Sequence, residues 1–192
     1  MSEHESVDGL ESSTLGAIRT ELTGVNMDLA TAALIFATKL TDTTWNPNWG
    51  PYDHQTMGAV VSAIVKTTTD LREVETLIRI ARWESGGFRK DVANCKILGK
   101  IGDRGVFQVW PINDKEKTDL CSSDLTKQVA VALSHINDSI TTCKRWGLKG
   151  SNLLTVYTHG RCHVAKDKAA SMRWGTGDAI QAIFDTAEEE TQ

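Results

Sequence analysis

The chain has 192 residues, with 21 Lys and Arg against 25 Asp and Glu for a net charge of −4. It is long enough to bury a sizeable core, and its charge gives no general attraction to nucleic acid or anionic membranes. Four cysteines are too few for a disulfide-dense miniprotein, and six tryptophans against two tyrosines and four phenylalanines is an unusual aromatic balance.

Residues 1–24 are polar and acidic and read as a loose tail, with a short helix at 14–22 as one option. They lack a basic start followed by an apolar stretch, so no secretory signal is expected. The strongest apolar run, 32–37, is far below a membrane span. Residues 27–40 read as a helix, with Leu29, Ala33, Phe36 and Leu40 at helical spacing and Leu34 and Ile35 broadening the face. Residues 41–55, with Pro47, Gly50 and Pro51, read as a loop. A short amphipathic helix follows from Met57 to Lys66, built on Val60, Val61 and Ile64.

The clearest helix starts after Asp70. Asp70 suits an N-cap, and Glu73 completes a capping-box pattern. Leu71, Val74, Ile78 and Ala81 recur at threes and fours, and Gly86 and Gly87 mark the stop. Glu84 falls in the last turn, on the edge of the apolar face. Residues 88–123 have weak periodicity and many turn residues, with a short hairpin conceivable around Val106 and Gln108. A long helix is predicted from about Asp124, with Leu125, Val129, Leu133, Ile136, Ile140 and Cys143 on one face. Ser151 is read as the cap of a further helix from Asn152 to about His159, stopped by Gly160, and Asp178 to Ala187 reads as the last helix.

Glu84 is the first candidate for chemistry. The negative end of the helix dipole, the neighbouring Trp83 and the apolar stripe all push its carboxyl pKa upward, as a general acid near neutral pH requires. The alternative is an ordinary solvated glutamate at a helix end. The segments that follow are Glu84-Ser85, then Gly105-Val106-Phe107-Gln108-Val109-Trp110-Pro111, then Val156-Tyr157-Thr158-His159-Gly160. In this order and spacing, over about residues 70–165, they resemble the lysozyme superfamily and most closely the soluble-type lytic transglycosylases. Phe107 stands where methionine is usual, Gly99 and Lys100 where a serine is usual, and Thr158 where asparagine is usual. Asp103, in Asp103-Arg104-Gly105-Val106-Phe107-Gln108, is also similar to the c-type lysozyme segment that holds a second carboxylate. Its alternative reading is a turn-forming Asp between glycines.

The resemblance implies a mainly α, lysozyme-like fold with a small β or irregular segment near 97–110 and terminal extensions. The units would be a tail (1–24), an N-terminal helical extension with a Trp/Pro loop (25–69), a catalytic domain (70–165) and a C-terminal helical extension (166–192). It implies Glu84 as catalytic acid and base, with Asp103 as a second carboxylate. Ser85, Gln108, Tyr157 and Trp110 would be substrate-binding, Tyr157 helping to hold the acid. Trp83 is a further candidate to stack on a sugar face, although core packing is the commoner fate of tryptophan. His159 and Arg161 read as solvated loop residues ahead of substrate contacts.

The implied reaction is cleavage of the β-1,4 bond between N-acetylmuramic acid and N-acetylglucosamine in peptidoglycan. A lytic transglycosylase leads, a hydrolytic lysozyme using Glu84 and Asp103 is second, and a non-catalytic virion or wall-binding protein is third. No cofactor or metal is expected. The partner is bacterial peptidoglycan, with other phage virion proteins as an option, and no nucleic acid or membrane span. With no signal read, the expectation is a phage product made in the host cytoplasm and acting in the cell wall, as a virion component or a lysis enzyme.

Cys95, Cys121, Cys143 and Cys162 lack zinc-site spacing. Of the three possible pairings, Cys143 with Cys162 and Cys95 with Cys121 is preferred. Four buried thiols are the alternative.

Overall fold

The computed structural model describes residues 27–43, 52–163 and 167–189. The 1–24 tail, its optional helix and most of the Trp/Pro loop lie outside them. Three helices open the described chain: α1 (Leu29–Thr43), α2 (His54–Thr67) and α3 (Leu71–Glu84). Each starts on an aspartate whose carboxylate takes an otherwise orphaned amide. Asp28 accepts from Thr31 N at 2.8 Å, Asp53 from Thr56 N at 2.9 Å and Asp70 from Glu73 N at 3.0 Å. The capping box at α3 closes through an intermediary. Thr68 Oγ1 donates to Glu73 Oε2 at 2.6 Å and accepts from Asp70 N at 3.2 Å.

In α1 the predicted spacing holds for Ala33, Phe36 and Leu40, which are buried. Leu34 is 41% exposed and so does not belong to that face. Val60, Val61 and Ile64 of α2 and Val74, Leu77, Ile78, Ile80 and Ala81 of α3 are all buried. At about 1.5–3 kcal/mol for each large aliphatic side chain, this burial is the main support of α3. α3 packs against α1 and α2 and against three later helices, Leu125–Arg145, Lys168–Arg173 and Asp178–Glu189.

Beyond α3 the chain turns sharply. Gly86, Gly87 and Phe88 all have positive φ (62°, 99° and 62°). A side chain at Gly87 would strike the Tyr52 ring at 2.7 Å. Two short helices that periodicity did not reveal follow, α4 (Lys90–Ala93) and α5 (Asp114–Leu120). Between them there is no hairpin. The expected β element reduces to one antiparallel bridge, Arg104 with Val109, bonded in both directions at 2.9 and 3.1 Å. The four residues between the two form a tight turn, closed by Gln108 N on Gly105 O at 3.1 Å.

α6 (Leu125–Arg145) carries the predicted apolar face and also the fully buried Gln128. Its amide donates to Ala93 O at 2.8 Å and Ser122 O at 2.9 Å, and its carbonyl accepts from Val106 N at 3.0 Å. A 3-10 helix (Gly150–Leu154) leads into α7 (Thr155–His159), which Gly160 ends at φ 70°. Ser151 is not a cap. It lies inside the 3-10 turn, and its hydroxyl meets that of Ser171 at 3.2 Å. α8 (Lys168–Arg173), unforeseen because of its six-residue length, precedes α9 (Asp178–Glu189).

The four cysteines form the preferred pairs, Cys95–Cys121 and Cys143–Cys162. These bridges leave no thiolate among them for a metal. Loops of 26 and 19 residues are closed, worth about 3 kcal/mol each in chain entropy.

The fold is thus mainly α, with no strand among the described residues. One hydrophobic cluster runs from Ala32 through α2, α3, α6 and Leu154 to Ile180 and Ile183. The segments read as N- and C-terminal extensions contribute to that same core. Gly175 N donates to Thr76 Oγ1 at 3.0 Å and Gly177 N to the buried Glu75 at 2.9 Å. A Cβ at Gly175 would lie 2.6 Å from Thr76 N, so only glycine allows the chain after α8 to seat this closely on α3.

Candidate active site

Glu84 ends α3 with its side chain 23% exposed. Burial pushes its carboxyl above the ordinary glutamate value, and the Asp103 charge adds to that push. Arg173 opposes both by charge and by a hydrogen bond from its Nε to Glu84 Oε1 at 2.6 Å. The guanidinium is itself fixed, because it also donates to Ala169 O at 2.9 Å inside α8. Sequence reasoning missed Arg173. The two residues are 89 positions apart, and α8 has too few turns to show a periodicity.

Asp103 is half-buried, and burial raises its carboxyl above the usual aspartate value. Its charge is the smallest of the influences on the Glu84 carboxyl, after burial and Arg173. Gln108 belongs to the same corner. A Cβ on Gly99 would stand 2.4 Å from Asp103 Oδ2 and 2.8 Å from Gln108 Oε1. Glycine at 99, where the resemblance leads one to expect serine, therefore leaves room for both polar groups. Gln108 adopts φ 47°, a region unusual for a non-glycine residue and found preferentially at functional sites. Its amide donates to Gly105 O at 2.9 Å, which holds the side chain.

Tyr157 reaches this site from α7. Its hydroxyl donates to Phe107 O at 2.7 Å, not to Glu84, so it braces the turn that carries Gln108. Burial and then the Glu84 charge push the phenol well above its ordinary pKa, so it remains a neutral donor. The position of α7 comes from α6. Ser139 Oγ donates to Leu153 O at 2.7 Å and accepts from Tyr157 N at 3.2 Å. Thr158 bonds back to the carbonyl of Leu154, the residue before α7, at 3.3 Å.

The structure assigns Ser85 a structural role where a substrate contact was expected. It is 1% exposed, donates to Ala81 O at 2.6 Å and accepts from Phe88 N at 2.7 Å. Its hydroxyl is occupied in stopping α3 and holding the strained Phe88. Trp110 is 53% exposed, with its ring edge over Gly102, and keeps a free aromatic face. Trp83 is half-buried with the Arg82 guanidinium 5.5 Å above its ring. His159 pairs with Asp167, the residue whose carboxylate caps α8.

The site thus joins Glu84 and Arg173 from one wall with Asp103 and Gln108 from another and Tyr157 behind them. A carboxyl with raised pKa beside a second carboxylate is suited to donate a proton and to stabilise positive charge that develops next to it. Comparison with protein-family models, curated proteins and solved structures finds no match for this chain.

Proposed function

We propose that this protein cleaves the glycan strand of bacterial peptidoglycan at the β-1,4 bond between N-acetylmuramic acid and N-acetylglucosamine, as a lytic transglycosylase. What supports this reading is a mostly buried Glu84 carboxyl at a helix end, with Asp103 and Gln108 sharing one corner and Tyr157 bracing the turn that carries Gln108. These are the residues that the motif order picks out.

In this reading protonated Glu84 gives its proton to the glycosidic oxygen as the bond from the muramic C1 breaks. The sugar left behind carries oxocarbenium character, and the Asp103 carboxylate stabilises it. Glu84, now ionised, takes the proton of the sugar's own C6 hydroxyl as that oxygen attacks C1, and a 1,6-anhydro end forms. Arg173 steadies the ionised form between the two steps. Trp110 offers a face to a neighbouring sugar ring, and Gln108 its amide. The place of action proposed with this chemistry is the bacterial cell wall.

Asp103 supplies the observation behind a second reading. A second half-buried carboxyl beside Gln108 also suits a hydrolytic muramidase, in which Asp103 acts as nucleophile or positions water. Digestion of purified peptidoglycan, with the sugar ends identified by mass spectrometry, separates the two. Anhydro ends are expected, and reducing ends would replace the first reading with the second. Glu84→Gln is expected to lower the rate by about 10²–10⁴-fold, the usual share of a general acid. Wild type and Glu84→Gln equally inert, with wall or virion binding retained, would leave a non-catalytic protein of this fold.

A further inference from the structure

The segment 97–112, which borders the proposed site, exposes apolar side chains that the folding of this domain does not explain. Ile97 and Leu98 are 43% exposed, Trp110 53%, Ile101 66% and Ile112 74%. Among the described residues only two other large apolar side chains are similarly open, Leu34 and Trp146, and they belong to other segments, α1 and the end of α6. A concentration of this kind marks an interaction surface. The segment is also well anchored. The Cys95–Cys121 bridge pins its start, the Arg104–Val109 bridge closes its centre, and Gly102 lies against the Trp110 ring. The apolar groups are therefore presented on a fixed rim.

The charges on this rim decide what it fits. Lys96 and Lys100 are exposed and interleaved with Ile97, Leu98 and Ile101. The nearby acids are each matched by a cationic or hydrogen-bonding partner, Asp114 on the open surface and Glu116 in a partly buried pair. Asp114 pairs with Lys117, and Glu116 accepts from Ile112 N and pairs with His135. Asp103 is half-buried and shares the corner at Gly99 with Gln108. The rim therefore presents isoleucine and leucine with local positive charge and a tryptophan, while the whole chain carries −4. This is the composition that places apolar side chains at the acyl boundary of a bilayer, lysines among anionic headgroups and tryptophan at the interface.

We propose that the 97–112 rim docks the protein peripherally on an anionic lipid surface. No helix among the described residues is long and apolar enough to cross a membrane, so the contact is a surface one. The inference does not rest on the glycan-cleavage reading, since lipid binding is measured without turnover.

The test is flotation of the full chain with vesicles of phosphatidylglycerol and phosphatidylcholine in equal parts, beside vesicles of phosphatidylcholine alone, at low salt. Binding to the first and little to the second is expected. Lys96→Gln and Lys100→Gln should each weaken it about fivefold, the effect of one basic residue near an anionic surface. The double variant Ile101→Ser with Ile112→Ser should weaken it about tenfold or more, through lost apolar burial. These side chains are exposed, so the variants keep the fold. No binding to either vesicle overturns the proposal, as does equal binding to both, or wild-type binding by the variants. A concentration-dependent dimer abolished by the isoleucine changes, without vesicle binding, would assign the rim to a second copy instead.

Discussion

The wall that carries Glu84 is a fourteen-residue helix whose apolar side chains are buried from Val74 to Ala81. The wall that carries Asp103 and Gln108 has one β-bridge and several residues at positive φ. The first is held by repeated burial, spread over many side chains and tolerant of any one change. The second is held by a few specific connections: Gln128 with its three hydrogen bonds, Tyr157 on Phe107, and the Cys95–Cys121 bridge. Under the proposed function, the acid stands on the first wall, and Asp103 and Gln108 on the second.

That contrast breaks most readily at Gln128. Gln128→Leu strands Val106 N and the carbonyls of Ala93 and Ser122 in the interior. It should cost about 3–5 kcal/mol in denaturant unfolding, since each buried unmet group costs about 1–3. A loss below about 1 kcal/mol would mean that the loop wall is not supported as described. Next comes the paired change Cys95→Ser with Cys121→Ser, expected to lose about 3 kcal/mol while helical circular dichroism persists.

Gly99→Ser acts on the site more than on the fold. The new Cβ displaces Asp103 and Gln108, and a shift of this size is expected to lower glycan cleavage by about 10²-fold with the thermal midpoint nearly unchanged. Unchanged activity would remove Asp103 and Gln108 from the chemistry. The subtlest expected effect is that of Arg173→Met. Arg173 lowers a Glu84 pKa that burial has raised, so removing it lets the pKa rise further. The acid stays protonated to higher pH, and the alkaline limb of the activity profile moves upward. In the same variant stability falls more steeply as pH rises from the ordinary glutamate value toward the raised one, because the folded state holds the proton longer than the unfolded chain. An alkaline limb that stays in place or moves down would show that Arg173 does not govern Glu84.

The same division governs how much was legible beforehand. α3 could be read to within a residue at its start, because Asp70, Glu73 and the three-and-four spacing act within a few residues of one another. α6 and α9 were read for the same reason, and the observed cysteine pairs are the preferred ones of the three possible pairings. The short helices α4, α5 and α8 were missed, since none spans enough turns for a pattern to repeat. Ser85 was misassigned because the motif names the residue but not where its hydroxyl points, which is back to Ala81 and Phe88.

The sequence by itself determined the longer helices, the Asp70 cap of α3, the position of Glu84 in a last turn, and the order of the segments around it. These depend on neighbours within about one or two turns. The tertiary structure alone decided the partner and the environment of that acid. Arg173 arrives from 89 residues away because Gly175 and Gly177 let the chain after α8 settle on α3. Asp103 arrives because Gln128 and a disulfide hold a loop that no local propensity would fix. Local patterning sets where a side chain leaves the backbone, but desolvation and charge act through space, and the packing of distant segments set the Glu84 pKa.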